Sequence, residues 1–174
     1  MKKLLKFASL AAAVLALIGF ILIMATHVAN YKDGNVSGYF EGMNAIFGTG
    51  KTSTTVGSLT ATGDFDDKLA WSGLLAWIFV LVALLALVVV SVLPLLKVKA
   101  LDKYLGLITL VAAGLLVVAA IFVFVTKGAF FAVNEYNNAN DWTLGAGWVI
   151  GGILFILAGG VAACPVVLGL LGKK

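Results

Sequence analysis

Several short stretches carry residue types that do chemistry. Residues 45–53 read AIFGTGKTS, in which Ala45, Gly50, Lys51 and Thr52 match the relaxed nucleotide-binding pattern of a small residue, four others and Gly-Lys-Ser/Thr. Such a loop cradles phosphate where a buried strand leads into a helix, whose first amides and positive dipole end face the anion. The residues that follow, TSTTVGSLTAT from Thr52 to Thr62, favour extended chain instead. The expectation is a Gly/Thr-rich turn entering a β-hairpin, with no nucleotide.

Asp64, Asp66 and Asp67 form an acidic cluster. Calcium takes about six to eight oxygens, so the cluster reads as a solvated turn without a metal. His27 is the sole histidine and lies three residues from Met24. A haem held by His and Met needs ligands on opposed faces, and this spacing puts both on one face, so no cofactor is expected. Cys164 stands alone, which excludes an internal disulfide. Val161-Ala162-Ala163-Cys164 matches a lipoprotein cleavage box by chance, near the wrong end of the chain. Asn35-Val36-Ser37 is a glycosylation acceptor that matters only in a eukaryote. With no Ser/His/Asp or Cys/His set, a non-enzymatic protein is expected.

The elements that hold these residues follow from hydropathy. The chain has 174 residues, 62% of them hydrophobic and 11% charged, against about 25% charged in an ordinary soluble domain. Phe7–Tyr31, Leu69–Leu96, Tyr104–Thr126 and Trp142–Gly172 contain no Asp, Glu, Lys or Arg. Each exceeds the roughly 20 residues that cross a bilayer as a helix. The fold class expected is an all-α membrane protein, a single four-helix transmembrane domain over residues 1–174. Its helices are placed at about 5–29, 69–96, 103–126 and 142–170, with outer loops at about 30–68 and 127–141 and an inner loop at about 97–102. No small-x-small cleavage site follows the first helix, which reads as an uncut anchor.

Lysines set the orientation. Lys2, Lys3, Lys6, Lys97, Lys99, Lys103, Lys173 and Lys174 share one side with a single acid, Asp102; the opposite side is net acidic. The positive-inside rule puts both termini in the cytoplasm of a plasma membrane. The net charge of +4 thus reflects topology and gives no reason to expect nucleic acid. The absence of arginine suits a bacterium.

Trp71 and Trp77 open the second helix, Trp142 and Trp148 the fourth, each pair six residues apart. The pairs are offset by 71 residues, as are the two prolines, Pro94 and Pro165. The first and third helices align from Lys6-Phe7 and Lys103-Tyr104. Two tandem helical hairpins are expected, related by an axis along the membrane normal. The four tryptophans would anchor the outer interface, and the prolines would kink their helices.

Leu10–Met24, Trp77–Val90, Leu110–Val125 and Trp148–Val161 contain no charged, amide or hydroxyl side chain. Ion and transporter paths place polar groups near mid-membrane, so a polar route through one subunit is not expected. Gly145, Gly147, Gly151, Gly152, Gly159 and Gly160 line the fourth helix. Small residues there let membrane helices approach closely, which makes these six the candidate helix-packing and partner interface.

The first loop, with Tyr39, Phe40, Met43, Ile46 and Phe47, is expected to form a short amphipathic segment and a small hairpin. Phe130, Phe131 and Tyr136 of the second loop would pack under it as an extracytoplasmic cap. Four helices, both ends inside, and a long β-rich first loop resemble the topology of claudin-like proteins. Their first loop carries a Trp-Gly-Leu-Trp run and two cysteines, and Val28–Lys68 has neither Trp nor Cys. The resemblance is therefore one of topology and implies no function. The expectation is an accessory or scaffold subunit bound to the lipid bilayer and to a membrane-protein partner or further copies of itself. The alternative is a transport or channel component whose pathway forms between subunits, for a lipophilic substrate.

Overall fold

The computed structural model describes residues 2–93, 103–136 and 139–171. In chain order the elements are α1 (Lys2–Ala25), β1 (His27–Asp33), β2 (Val36–Glu41), α2 (Gly42–Phe47), β3 (Thr49–Val56), β4 (Leu59–Asp66), α3 (Trp71–Val92) and α4 (Leu105–Val133). A 3-10 turn (Ala139–Asp141), β5 (Thr143–Leu144) and α5 (Ala146–Leu171) complete the chain. The protein is mostly helical, and α1, α3, α4 and α5 are each long and apolar enough to cross a membrane. Pro94 and the expected inner loop at 97–102 lie outside the described residues.

Helix α1 packs on α5 and α3, and α4 packs on α3 and α5. The interior they share is built from small side chains, among them Ala12, Ala16, Gly19, Ala76, Ala83, Ala112, Ala119, Gly152 and Ala158, all buried. Small side chains allow close backbone approach, which gains dispersion where lipid supplies no hydrophobic drive. Outward positions such as Ile21, Leu85, Leu107, Ile121 and Leu157 are largely exposed.

The hydroxyls of the long helices, buried except for the half-buried Thr26 just past α1, collect in two layers. Ser9, Ser91 and Thr109 mark the end near the termini, and Thr26, Ser72 and Thr126 the sheet end. Four of them donate back to the carbonyl four residues earlier: Thr26 to Leu22 at 2.6 Å, Ser91 to Leu87 at 2.8 Å, Thr109 to Leu105 at 2.8 Å and Thr126 to Phe122 at 2.6 Å. That bond satisfies a hydroxyl without water.

Ser9, Ala12, Ala13, Ala16, Gly19 and Ile23 are buried on α1. The residues 100 positions later on α4, Thr109, Ala112, Ala113, Leu116, Ala119 and Val123, are buried as well. On α3 and α5 the buried faces match at an offset of 72, pairing Ala76 with Trp148, Val80 with Gly152, Ala83 with Phe155 and Leu87 with Gly159. The tryptophan offset of 71 is one residue away, and one residue turns a helix by about 100°. Trp77 and Trp148 therefore hold different environments, half-buried and fully buried.

Beyond one end of the helices lies an antiparallel sheet in the order β4-β3-β2-β1-β5. It is larger than the short hairpin expected: the first loop makes two hairpins, and the second loop adds β5. Each hairpin closes through two residues, Gly34-Asn35 and Gly57-Ser58, with Gly34 at φ +52° and Gly57 at φ +60°. Such turns match strand twist and need a left-handed first residue, which glycine supplies.

The long helices end differently from expectation. Helix α1 stops at Ala25, short of residue 29, because His27 onwards pairs with β2. Helix α4 runs to Val133 rather than 126. Lys127 ends the uncharged run, but Phe130 and Phe131 gain burial only if the helix continues. It closes with Glu135 at φ +55°, the Glu135 amide donating to Ala132 and the Tyr136 amide to Phe131, the bond pattern of a Schellman cap. Helix α5 starts at Ala146 rather than 142, since Thr143 and Leu144 pair with Asn30 and Ala29.

Candidate functional site

The junction between sheet and helices brings together an aromatic cluster and a set of side-chain hydrogen bonds. Phe40, on β2, is its apolar centre. Its ring meets Trp142 at 5.0 Å between centroids, Phe130 at 5.3 Å, Tyr136 at 5.4 Å and Phe131 at 5.9 Å. The expected packing of Phe130, Phe131 and Tyr136 under the first loop is thus made through one residue. Trp142 also meets Tyr31 at 5.5 Å. Large aromatic areas in edge or tilted contact hold both loops on one core.

A polar hub joins the same parts. Asp67, just after β4, accepts from the Tyr136 hydroxyl at 2.5 Å and from Asn44 Nδ2 at 3.1 Å. Asn44 is fully buried on α2. The Tyr136 hydroxyl is pushed up to about 12, first by burial and then by its bond to, and the charge of, Asp67. Asn134 pairs with the chain beside it: its side-chain oxygen accepts from the Lys68 amide at 2.7 Å, and its Nδ2 donates to the Lys68 carbonyl at 2.9 Å. Lys127 donates to the carbonyls of Ala139 at 2.9 Å and Trp142 at 2.6 Å, which closes the 3-10 turn with a cation. The Lys68–Glu135 ion pair, at 3.9 Å and largely exposed, contributes little.

Helix α2 plugs the helix ends. Gly42 sits on the carbonyls of Ile23 and Thr26 and beside Trp148 Nε1, and the Ala70 amide donates to Ala45 at 2.9 Å. Around this plug, Asn44 Oδ1, Thr52 Oγ1, Ser72 Oγ, Trp77 Nε1 and Trp148 Nε1 are buried without a hydrogen-bond partner among the described residues.

The nucleotide-like stretch takes the reverse of a phosphate loop's order. Ala45 and Phe47 lie on α2, Gly48 is its left-handed cap, and Gly50, Lys51 and Thr52 lie inside β3. A strand follows the lysine, so no helix N-terminus faces it. Lys51 is exposed opposite Asp64, and Gly50 makes room for Asn44. Of the acidic cluster, Asp67 serves the hub and Asp64 is exposed; no group of three or more candidate ligands occurs among the described residues. His27 stacks on Tyr39 at 3.8 Å and bonds Asn30 at 3.1 Å. Cys164 is exposed on α5.

The glycines of the fourth helix face this chain's own elements. Gly145 abuts the His27 carbonyl, Gly147 meets Thr26, Gly151 meets Ile23 and Gly19, Gly152 meets Phe124, and Gly159 meets the Ala113 carbonyl. Gly160 alone of the six has nothing within 4 Å. Five of the six are therefore used by internal packing, which leaves Gly160 as the outward one.

The four tryptophans, expected together at the interface, are divided. Trp71 is 55% exposed, with its ring edge on Phe122. Trp77 lies between Phe20 and Phe47. Trp142 precedes α5 and belongs to the aromatic core of the sheet. Trp148 is fully enclosed beneath Gly42, as part of the protein's core.

Phe40, Asn44, Lys127 and Asn134 were not legible as a site, because their partners lie far away in sequence. The Gly34-Asn35 turn signal between two alternating runs was available and marks the first hairpin. The chain matches no protein-family model and no curated protein. The junction organises apolar rings and a set of hydrogen bonds in which the Asp67 carboxylate and the Lys127 ammonium each hold two partners.

Proposed function

We propose that this chain is a non-catalytic, multi-pass membrane protein that holds a rigid β-sheet at the outer membrane surface, as an accessory or scaffold subunit. The carrying observation is the spacing of the two hydroxyl layers. Ser9 and Thr26 are 17 residues apart, as are Thr109 and Thr126, and Ser72 and Ser91 are 19 apart. At a rise of roughly 1.5 Å per residue these spans are about 26–29 Å, close to the roughly 30 Å of a bilayer's hydrocarbon. Between the layers, the buried side chains of the described helices carry no polar atom except the Trp148 indole. Two tandem helical hairpins belong to the same reading, supported by the buried faces that match at offsets of 100 and 72.

In this arrangement the lysine-rich links lie inside and the sheet outside. With five glycines occupied internally, the surface offered to a partner shifts from the fourth helix to the sheet. The experiment is labelling of single cysteines in intact cells with a membrane-impermeant maleimide. Cysteine at Ser58 is expected to react from outside, and the native Cys164 only after permeabilisation. Labelling of Cys164 in intact cells, or protection of residue 58, sinks the orientation. Flux of a polar solute through purified monomers in vesicles sinks the scaffold reading.

A further inference from the structure

The two edges of the sheet differ. At one edge β5 is two residues long and pairs only Ala29 and Asn30. The rest of β1 on that side carries Lys32 and Asp33, with Asp141 beside them. Short strands and charges are the usual guards of a sheet edge. At the other edge the first five residues of β4 are unguarded: Leu59, Thr60, Ala61, Thr62 and Gly63 include no charge and no proline, and charge enters only with Asp64 and Asp66 at the strand's far end. Leu59 is 77% exposed, more than any other large apolar side chain described, including those on the long helices.

We propose that β4 is the docking edge for a second copy of this chain, joined antiparallel about a two-fold axis through Ala61. The inference rests on the reading that the sheet stands outside the bilayer. Because the β5 edge is blocked, head-to-tail growth from β4 to β5 has no surface, and the pairing open to two copies is β4 with β4.

The register follows from the hairpin. Gly57-Ser58 is a two-residue turn closed by the pair Val56–Leu59. In such a hairpin the closing pair is hydrogen-bonded and pairs alternate thereafter. Thr60, Thr62 and Asp64 therefore turn their backbone N–H and C=O groups away from β3, towards the open edge. Only registers that oppose these residues to one another complete the ladder. Centring on Ala61 pairs Thr60 with the partner's Thr62, a favourable cross-strand couple. It also sets the 77%-exposed Leu59 over the partner's Gly63, a large side chain over a position with none. Asp64 comes opposite the partner's Ser58. The two Asp64 carboxylates then lie six strand residues apart, about 20 Å and beyond the roughly 8–10 Å screening length.

The test is disulfide trapping in a Cys164→Ser background, in membranes and in mild detergent. Two Ala61 residues would form a non-hydrogen-bonded pair about 4.5 Å apart at Cα, within disulfide reach. Ala61→Cys is expected to give a linked dimer under mild oxidant, and Thr60→Cys, displaced by two residues from its own copy, at least tenfold less. Thr62→Lys is expected to weaken the dimer at least tenfold in mass measurements, with the circular dichroism unchanged. Monomer at both cysteine positions, equal trapping at both, or trapping of a foreign protein each overturns the proposal. Impermeant maleimide on reduced Ala61→Cys separates the two readings: absence of labelling in cells defeats the membrane placement, and labelling without trapping defeats only the dimer.

Discussion

Asp67→Ala removes a carboxylate that joins three parts of the cap. The Tyr136 hydroxyl loses a charged acceptor at 2.5 Å, a bond worth about 1.5–3 kcal/mol. Asn44, fully buried, loses the partner of its Nδ2. Its Oδ1 already has none among the described residues, so the amide would be stranded among them, at about 1–3 kcal/mol. Asp67 is half-exposed, and water recovers part of the first loss. The sum expected is about 3–4 kcal/mol against docking of the second loop, or roughly a hundred- to a thousandfold faster local opening. Amide hydrogen exchange in detergent reads this directly, over α2 and residues 134–144, since opening is measured segment by segment. Tyr136→Phe removes only one bond and is expected to speed exchange roughly tenfold. The double variant should exchange no faster than Asp67→Ala, because both act through one carboxylate. If Asp67→Ala were no worse than Tyr136→Phe, or if α1 and α4 opened equally, the hub would not be what docks the loop.

The raised Tyr136 hydroxyl gives a stability contribution that is complete below about pH 10 and declines as pH rises through about 12. Thermal unfolding across that window should weaken in the native chain and flatten in Tyr136→Phe. Gly151→Val pushes a side chain towards Ile23 and the Gly19 carbonyl, and Gly159→Val towards the Ala113 carbonyl; each is expected to cost about 1–3 kcal/mol. Gly160→Val meets open space and should stay within about 0.5 kcal/mol in the same detergent melt. Lys127→Met strands the carbonyls of Ala139 and Trp142 and should loosen residues 139–144 by about 1.5–3 kcal/mol in hydrogen exchange. Glu135→Gly relieves a left-handed residue and is expected to gain up to about 1 kcal/mol in the thermal melt.

Four apolar helices and a β-hairpin after Lys51 followed from the sequence because hydropathy and turn chemistry are local. The ends of α4 and α5 did not. Lys127 reads as a loop residue until its ammonium finds two carbonyls, and Trp142 reads as a helix start until Phe40 claims its ring. The same limit applies to the tryptophan repeat. An offset of 71 is apparent in the letters, whereas the buried faces match at 72, a rotation that only neighbouring helices define. The glycines were legible as packing residues, but spacing alone does not say against which surface.

The chain by itself determined that it divides into long apolar helices and a polar, strand-forming part, because burial of apolar surface and two-residue turns act within a few residues of each other. Tertiary structure decided what Asp67, Trp148 and the glycine stripe do. Each meets its partners across tens of residues, where contact geometry, and not residue type, sets the role.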